Sequence, residues 1–223
     1  MLNSRILDEI VREQLGVLLV DRGYVDAGRS IFVRIDESGH DCVALDPSPK
    51  KARFRVMIGH VPAYIYEYAH EYHGMGRADC GTPQQSPYLN PGGVSSKPCF
   101  WPYNTKEHLV RSLVSVQQAY LAAGEKRLTD LRDPATYAAE ADPEALIPTA
   151  LAWEAAGNVE RATHYFTEMR DRYLRIHAEF EGLPTHPETW REFLFVMHKL
   201  GESTPLTCQI EELQASRTPS PAA

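Results

Sequence analysis

The stretch YAHEYHGMGRADCG, residues 68–81, gathers side chains that can do chemistry. His70, His73 and Cys80 fall within eleven positions, with Glu71 and Asp79 beside them. Zinc hydrolases use H-E-x-x-H on a helix, where two histidines hold the metal and the glutamate is the general base. Four residues of helix turn through about 40° net, so that spacing aims both rings one way. Here the histidines are three apart, about 60° around the axis, still on one side. A metal-dependent hydrolase using His70 and His73, with Glu71 as base, is therefore one reading of the segment. A third ligand would have to come from His60, Cys80, Cys99 or His108, and the spacing selects none of them. Neither a metal nor another cofactor is the expectation on these grounds.

The aromatic side chains point elsewhere. Tyr64, Tyr66, Tyr68 and Tyr72, then Tyr88, Phe100, Trp101 and Tyr103, place eight aromatics in forty residues. Tyrosine and tryptophan serve interfaces well because they offer large area, a polar tip and few rotatable bonds. A second role for the same residues is to pack helices onto a sheet. The candidate contact set is Tyr64, Tyr66, Glu67, Tyr68, Glu71, Tyr72, Arg77 and Asp79, with aromatics as anchors and carboxylates meeting a basic partner. Other chemistries lack a signature. No phosphate-binding glycine loop follows a strand, and no cysteine sits in a recognisable nucleophile turn.

The elements that must carry these residues follow from periodicity. Ile6, Leu7, Ile10, Val11, Leu15, Leu18 and Leu19 recur at helical spacing, capped by Asn3 or Ser4 and ended by Gly23. Residues 29–36, 41–46 and 52–61 alternate and read as strands, with turns at 37–40 and 47–50. Residues 62–72 suit a short helix opened by Pro62. Five glycines and three prolines between 74 and 97 predict a long loop, and 98–103 a short edge strand. From Asn104 the chain is helical. Asn104 and Glu107 form a capping box, Gly124 ends that helix, and a short helix follows. Asp-Pro pairs open two more, of which the second is kinked or restarted by Pro148. Asn158 caps a long helix to about 181, and Pro187 opens the last. Residues 150–174 look like one tetratricopeptide-type hairpin, a further alternative being a peptide-binding adaptor over 143–200.

Bulk properties restrict the class. Hydrophobic content of 43% and charged content of 24% suit a globular protein. The net charge of −7 argues against a nucleic-acid surface. Residues 1–103 carry 11 basic and 12 acidic side chains, and the remainder 12 and 18, so the acidity lies in the C-terminal part. No run of 18 apolar residues occurs, and acidic residues interrupt the apolar start, so neither a membrane span nor a signal peptide is expected. Four scattered cysteines, Cys42, Cys80, Cys99 and Cys208, form no disulfide framework, and a cytoplasmic location is expected.

The glycine–tyrosine helix ending and arginine-flanked strand in DRGYVDAGRSIFVRIDESG (21–39), the tryptophan strand WPYNT (101–105) and GEKRLTDLRD (124–133) resemble a family of small bacterial α+β domains of unknown function. The resemblance covers about residues 5–140. It implies a single-domain α+β fold and, for some members, a role as immunity protein to a secreted toxin. It carries no catalytic residues, and residues 74–97 and those after 140 depart from it. The expected architecture is α+β: an N-terminal helix on a small antiparallel sheet (1–103), an all-helical lobe sharing the core (104–201) and a flexible tail (202–223). The expected function is non-catalytic binding of a protein, most plausibly a toxin, with no nucleic acid and no membrane as partner.

Overall fold

A computed structural model describes residues 4–73, 87–142, 144–179 and 187–217. It is α+β, with an antiparallel sheet near the N-terminus and helices after it. The chain opens with α1 (Ser4–Val11), a π turn (Arg12–Gly16) and α2 (Val17–Val20). Gly23 then takes the left-handed conformation expected of a helix stop (φ 82°). The strands are β1 (Val25–Gly28), β2 (Ile31–Asp36), β3 (Gly39–Ser48) and β4 (Arg53–Pro62), followed by α3 (Ala63–His73). Next come β5 (Tyr88–Asn90), β6 (Gly93–Ser95) and β7 (Trp101–Pro102). The sheet runs β1-β2-β3-β4-β5-β6, and β7 pairs with β4 beside β5.

Register decides what each face of the sheet carries. Phe32 lies opposite Val43, which lies opposite Ile58, and Leu45 opposite Val56. Because side chains alternate across a strand, Phe54 of β4 joins them on one face, and Trp101 lies opposite it on β7. These residues form a core with Leu7, Ile10, Leu15 and Leu19 of the first helices. The other cover is α4 (Lys106–Ala119), continued through a second π turn (Tyr120–Gly124) into α5 (Glu125–Asp130).

The helices beyond make a second layer of core. They are α6 (Pro134–Ala139), α7 (Leu146–Ala155), α8 (Val159–Glu179), α9 (Pro187–Leu200) and α10 (Pro205–Arg217). Ile65 and Tyr68 of α3 pack with Tyr137, Ile147, Trp153, Phe166 and Val196. Tyr173, Phe193 and Met197 close over Leu206 and Ile210 of α10.

Several expectations are corrected. β1 is a strand that the periodicity did not predict: Gly28, Arg29 and Ser30 all take positive φ and fold it back on β2. The expected loop 74–97 contains the β5–β6 hairpin. Thr105, not Asn104, caps α4: its hydroxyl accepts the His108 N–H at 3.2 Å. Gly124 does not end a helix. A Cβ there would lie 2.9 Å from Tyr120 Cδ2 and 3.3 Å from Leu89 Cδ1, so glycine is required where the helix presses on the β5 strand. Pro148 sits in the first turn of α7, where its missing N–H costs nothing. The expected tail after 201 carries α10, held by Leu206 and Ile210 at a spacing of four. The parts on either side of residue 103 share their cores, since α4 and α5 cover the sheet while α3 packs with the later helices.

Candidate functional site

Two polar assemblies stand out. The first lies on the core face of the sheet, one step from its apolar rows. Arg34 of β2, Asp41 of β3 and His60 of β4 are directly opposite one another, so their side chains share that face. Asp41 accepts hydrogen bonds from Arg34 Nε (3.0 Å) and Nη2 (2.7 Å) and from Arg132 Nη2 (2.6 Å), which reaches in from beyond α5. His60 Nδ1 lies 2.7 Å from the other carboxylate oxygen. Asp36 also holds Arg132, at 2.8 Å. Two aspartates therefore face two arginines, and the charges balance. The Arg34 guanidinium lies over the ring of Tyr24, whose hydroxyl meets that of Tyr120 at 3.1 Å.

Burial pushes the Asp41 carboxyl up, yet the bonds from His60, Arg132 and Arg34 outweigh it and hold the group below the ordinary aspartate range. Burial, with Tyr120 alongside, raises Tyr24. An Asp–His pair at 2.7 Å is how hydrolases orient a histidine base. Here both side chains are fully enclosed, and His60 Nε2 has no partner among the described residues. Cys42 is next to Asp41 in β3 and so points to the opposite face. The cluster is a buried tie between sheet and helices, with no hydroxyl or thiol bonded to His60 among the described residues.

The second assembly is built on α3, which divides the residues singled out in the sequence. Tyr64, Tyr68 and Tyr72 recur every four positions and turn toward the later helices. Tyr68 is 7% exposed and donates its hydroxyl to Glu192 of α9, which also accepts from Tyr173 at 2.7 Å. Burial first, then the Glu192 carboxylate, raises both tyrosines. Tyr64 is half-buried, its hydroxyl enclosed, and burial raises it as well. Tyr68 is therefore buried in the fold, and Tyr64 packs against the same helices while half-buried. Tyr66 stands between the rings of His40 (4.2 Å) and His70 (6.0 Å). Glu67, His70 and Glu71 are exposed. The side chain of His73, together with Arg77, Asp79 and Cys80, lies outside the described residues. Among those described, no three His, Cys, Asp or Glu side chains are grouped to hold a metal.

Beyond the C-terminal end of α3 a cleft of about 660 Å³ opens between α3, α9 and α10. Tyr72 stacks on Tyr68 at 5.2 Å and lies 5.1 Å from Phe195, and both Tyr72 and Phe195 line the cleft. Around them stand Glu71, Glu202, Glu211 and Arg191. Glu202 is held by Arg170, with oxygens 2.6 and 2.7 Å from Nη1. Glu71, Glu211 and neighbouring Glu67 and Glu212 are exposed and make no ion pair among the described residues. Burial, then the Glu71 carboxylate, raises the Tyr72 hydroxyl. Sequence reasoning reached Glu71 and Tyr72 but missed Glu211, because α10 was not expected, and Phe195, which lies on the expected last helix but carried no signal of its place at the cleft. The signal for α10 was present as Pro205 at its first position, with Leu206 and Ile210 four apart.

In the α7–α8 hairpin, Asn158 accepts the Arg161 N–H at 3.1 Å and Gly157 turns the chain (φ 74°), so the expected cap and turn of a helical hairpin are both present. Its small residues Ala150, Ala152 and Ala162 are buried against α3 and α9 partners, so that face is filled by the protein itself. Together these features define an α+β protein with a sealed ionic tie and an open acidic-aromatic cleft. No family model, curated protein or solved structure matches the chain. No helix among the described residues is long and apolar enough to cross a membrane.

Proposed function

We propose that the chain is a non-catalytic protein-binding protein, acting in the cytoplasm, and that its contact surface is the α3–α9–α10 cleft with the exposed edge of α3. The observation that carries this reading is the cleft itself: an aromatic floor of Tyr72 and Phe195 lined by Glu71 and Glu211, which make no ion pair among the described residues. Interfaces concentrate their energy in such aromatic anchors, while rim charges set partner choice and encounter rate. Of the residues singled out in the sequence, Glu71 and Tyr72 line the cleft and Glu67 is exposed on α3. The resemblance to a family of bacterial α+β domains of unknown function, for some members of which it implies an immunity role, supports the more specific form, in which the partner is a toxin whose active surface the protein covers.

The test is purification of the tagged protein from its native cells, with identification of what accompanies it, and co-expression with toxins encoded nearby. A stoichiometric protein partner, with protection of cells from that partner, is the expected result. Absence of any partner and of protection would sink the reading.

A further inference from the structure

Resting on that reading, we infer that the cleft accepts a cationic segment of the partner, with an arginine or lysine side chain entering between Glu71 and Glu211 and lying over the Tyr72–Phe195 floor.

The argument is one of charge and shape. Glu71 reaches the cleft from α3 and Glu211 from α10, so carboxylates stand on both sides of the aromatic floor. Glu67, one turn before Glu71 on α3, and Glu212, next to Glu211 on α10, are exposed and add negative charge to the same elements. The cations present are few. Arg170 is already committed to Glu202 and Asp171, and Lys199 to Glu154 at 2.6 Å while lying 5.6 Å from the Phe195 ring centre. Among the described lining residues Arg191 and His198 are the remaining basic side chains, against Glu71 and Glu211, which make no ion pair among the described residues. An incoming cation would thus meet a negative potential with aromatic faces beneath it, and both favour a guanidinium or ammonium group. An acidic or neutral segment would leave those carboxylates uncompensated. The protein already uses this chemistry internally, with Arg53 over Phe100 at 3.8 Å and Arg161 over Trp153 at 4.4 Å.

The experiment titrates the full chain with a nonaarginine peptide, followed by amide chemical shifts and calorimetry at about 0.1 M salt, where screening acts over ~10 Å. Shifts should concentrate at Glu71, Tyr72, Phe195 and Glu211. The double variant E71Q/E211Q, which alters only exposed groups, should bind roughly tenfold more weakly. A charge-matched control, E37Q/E144Q, should stay within about twofold of the parent. Shifts spread over the surface, or equal weakening in the control, overturn the assignment. So does a cellular partner whose affinity is unchanged in E71Q/E211Q, and that result leaves the protein-binding reading standing. Peptide binding confined to the cleft, with no protein partner in cells, supports the cation-accepting cleft and counts against the broader reading alone.

Discussion

Replacing Asp41 by asparagine keeps the side chain's shape and removes its charge, which isolates the buried ionic tie. The carboxylate accepts from Arg34 twice, from Arg132 once and bonds His60. A hydrogen bond to a charged group contributes about 1.5–3 kcal/mol, and breaking a buried pair costs about 3–5 kcal/mol because the partner is left uncompensated. Two features reduce that cost here. The Arg34 and Arg132 side chains retain 20% and 29% exposure, so water compensates part of each charge, and Arg132 keeps Asp36. The expected loss is about 3 kcal/mol, toward the lower end of that range. For a chain of this size that lowers the melting temperature by roughly 6–12 °C. Urea unfolding followed by circular dichroism at pH 7 reads the difference directly. The pH dependence adds a second check. Asp41 is held below the ordinary aspartate range, so its stabilisation is present above the unfolded value of about 3.9 and fades as pH falls through the folded one. The gap between parent and D41N should therefore close in acid. A D41N protein within about 1 kcal/mol of the parent at pH 7 would refute the role given to this network.

Other expectations follow from packing. Gly124→Ala places a Cβ 2.9 Å from Tyr120 and should cost about 1–3 kcal/mol in urea unfolding, with no gain from higher helix propensity. Ending the chain after Gly201 uncovers Phe193 and Met197, which are 0% and 1% exposed, and should destabilise the helical part measurably by thermal melting. A truncated protein as stable as the parent would restore the flexible-tail expectation. Tyr68→Phe removes one of the two tyrosine donors to Glu192 and should cost about 1–3 kcal/mol, whereas Glu67→Gln on the exposed edge should change stability by less than about 0.5 kcal/mol.

The first helix and the three main strands were legible because each has one apolar face, and a single-face pattern is visible in one dimension. β1 was not, since VDAG buries almost nothing and its pairing depends on three consecutive positive-φ residues, two of them not glycine. The β5–β6 hairpin was hidden because Pro91 and two glycines at its turn signal a loop as readily as a hairpin. The Asp41 cluster could have been found only from register. Arg34, Asp41 and His60 are spread over 27 positions, and their alignment depends on strand pairing that no local pattern states.

The tyrosine run shows why spacing outranks composition. Read as a block, Tyr64, Tyr66, Tyr68 and Tyr72 resemble one adhesive patch. Wound into α3, they separate by 100° per residue. The set at intervals of four goes into the core, Tyr66 joins two histidine rings, and the intervening Glu67 and Glu71 are left outside. Of the residues singled out in the sequence, the tyrosines are therefore the ones that take part in packing, while Glu67, His70 and Glu71 stay exposed. What remains exposed on α3 among the described side chains is Glu67, His70 and Glu71, with Glu71 at the place where a cleft begins. On that charge, more than on the aromatic count, rests the proposal of a cationic partner.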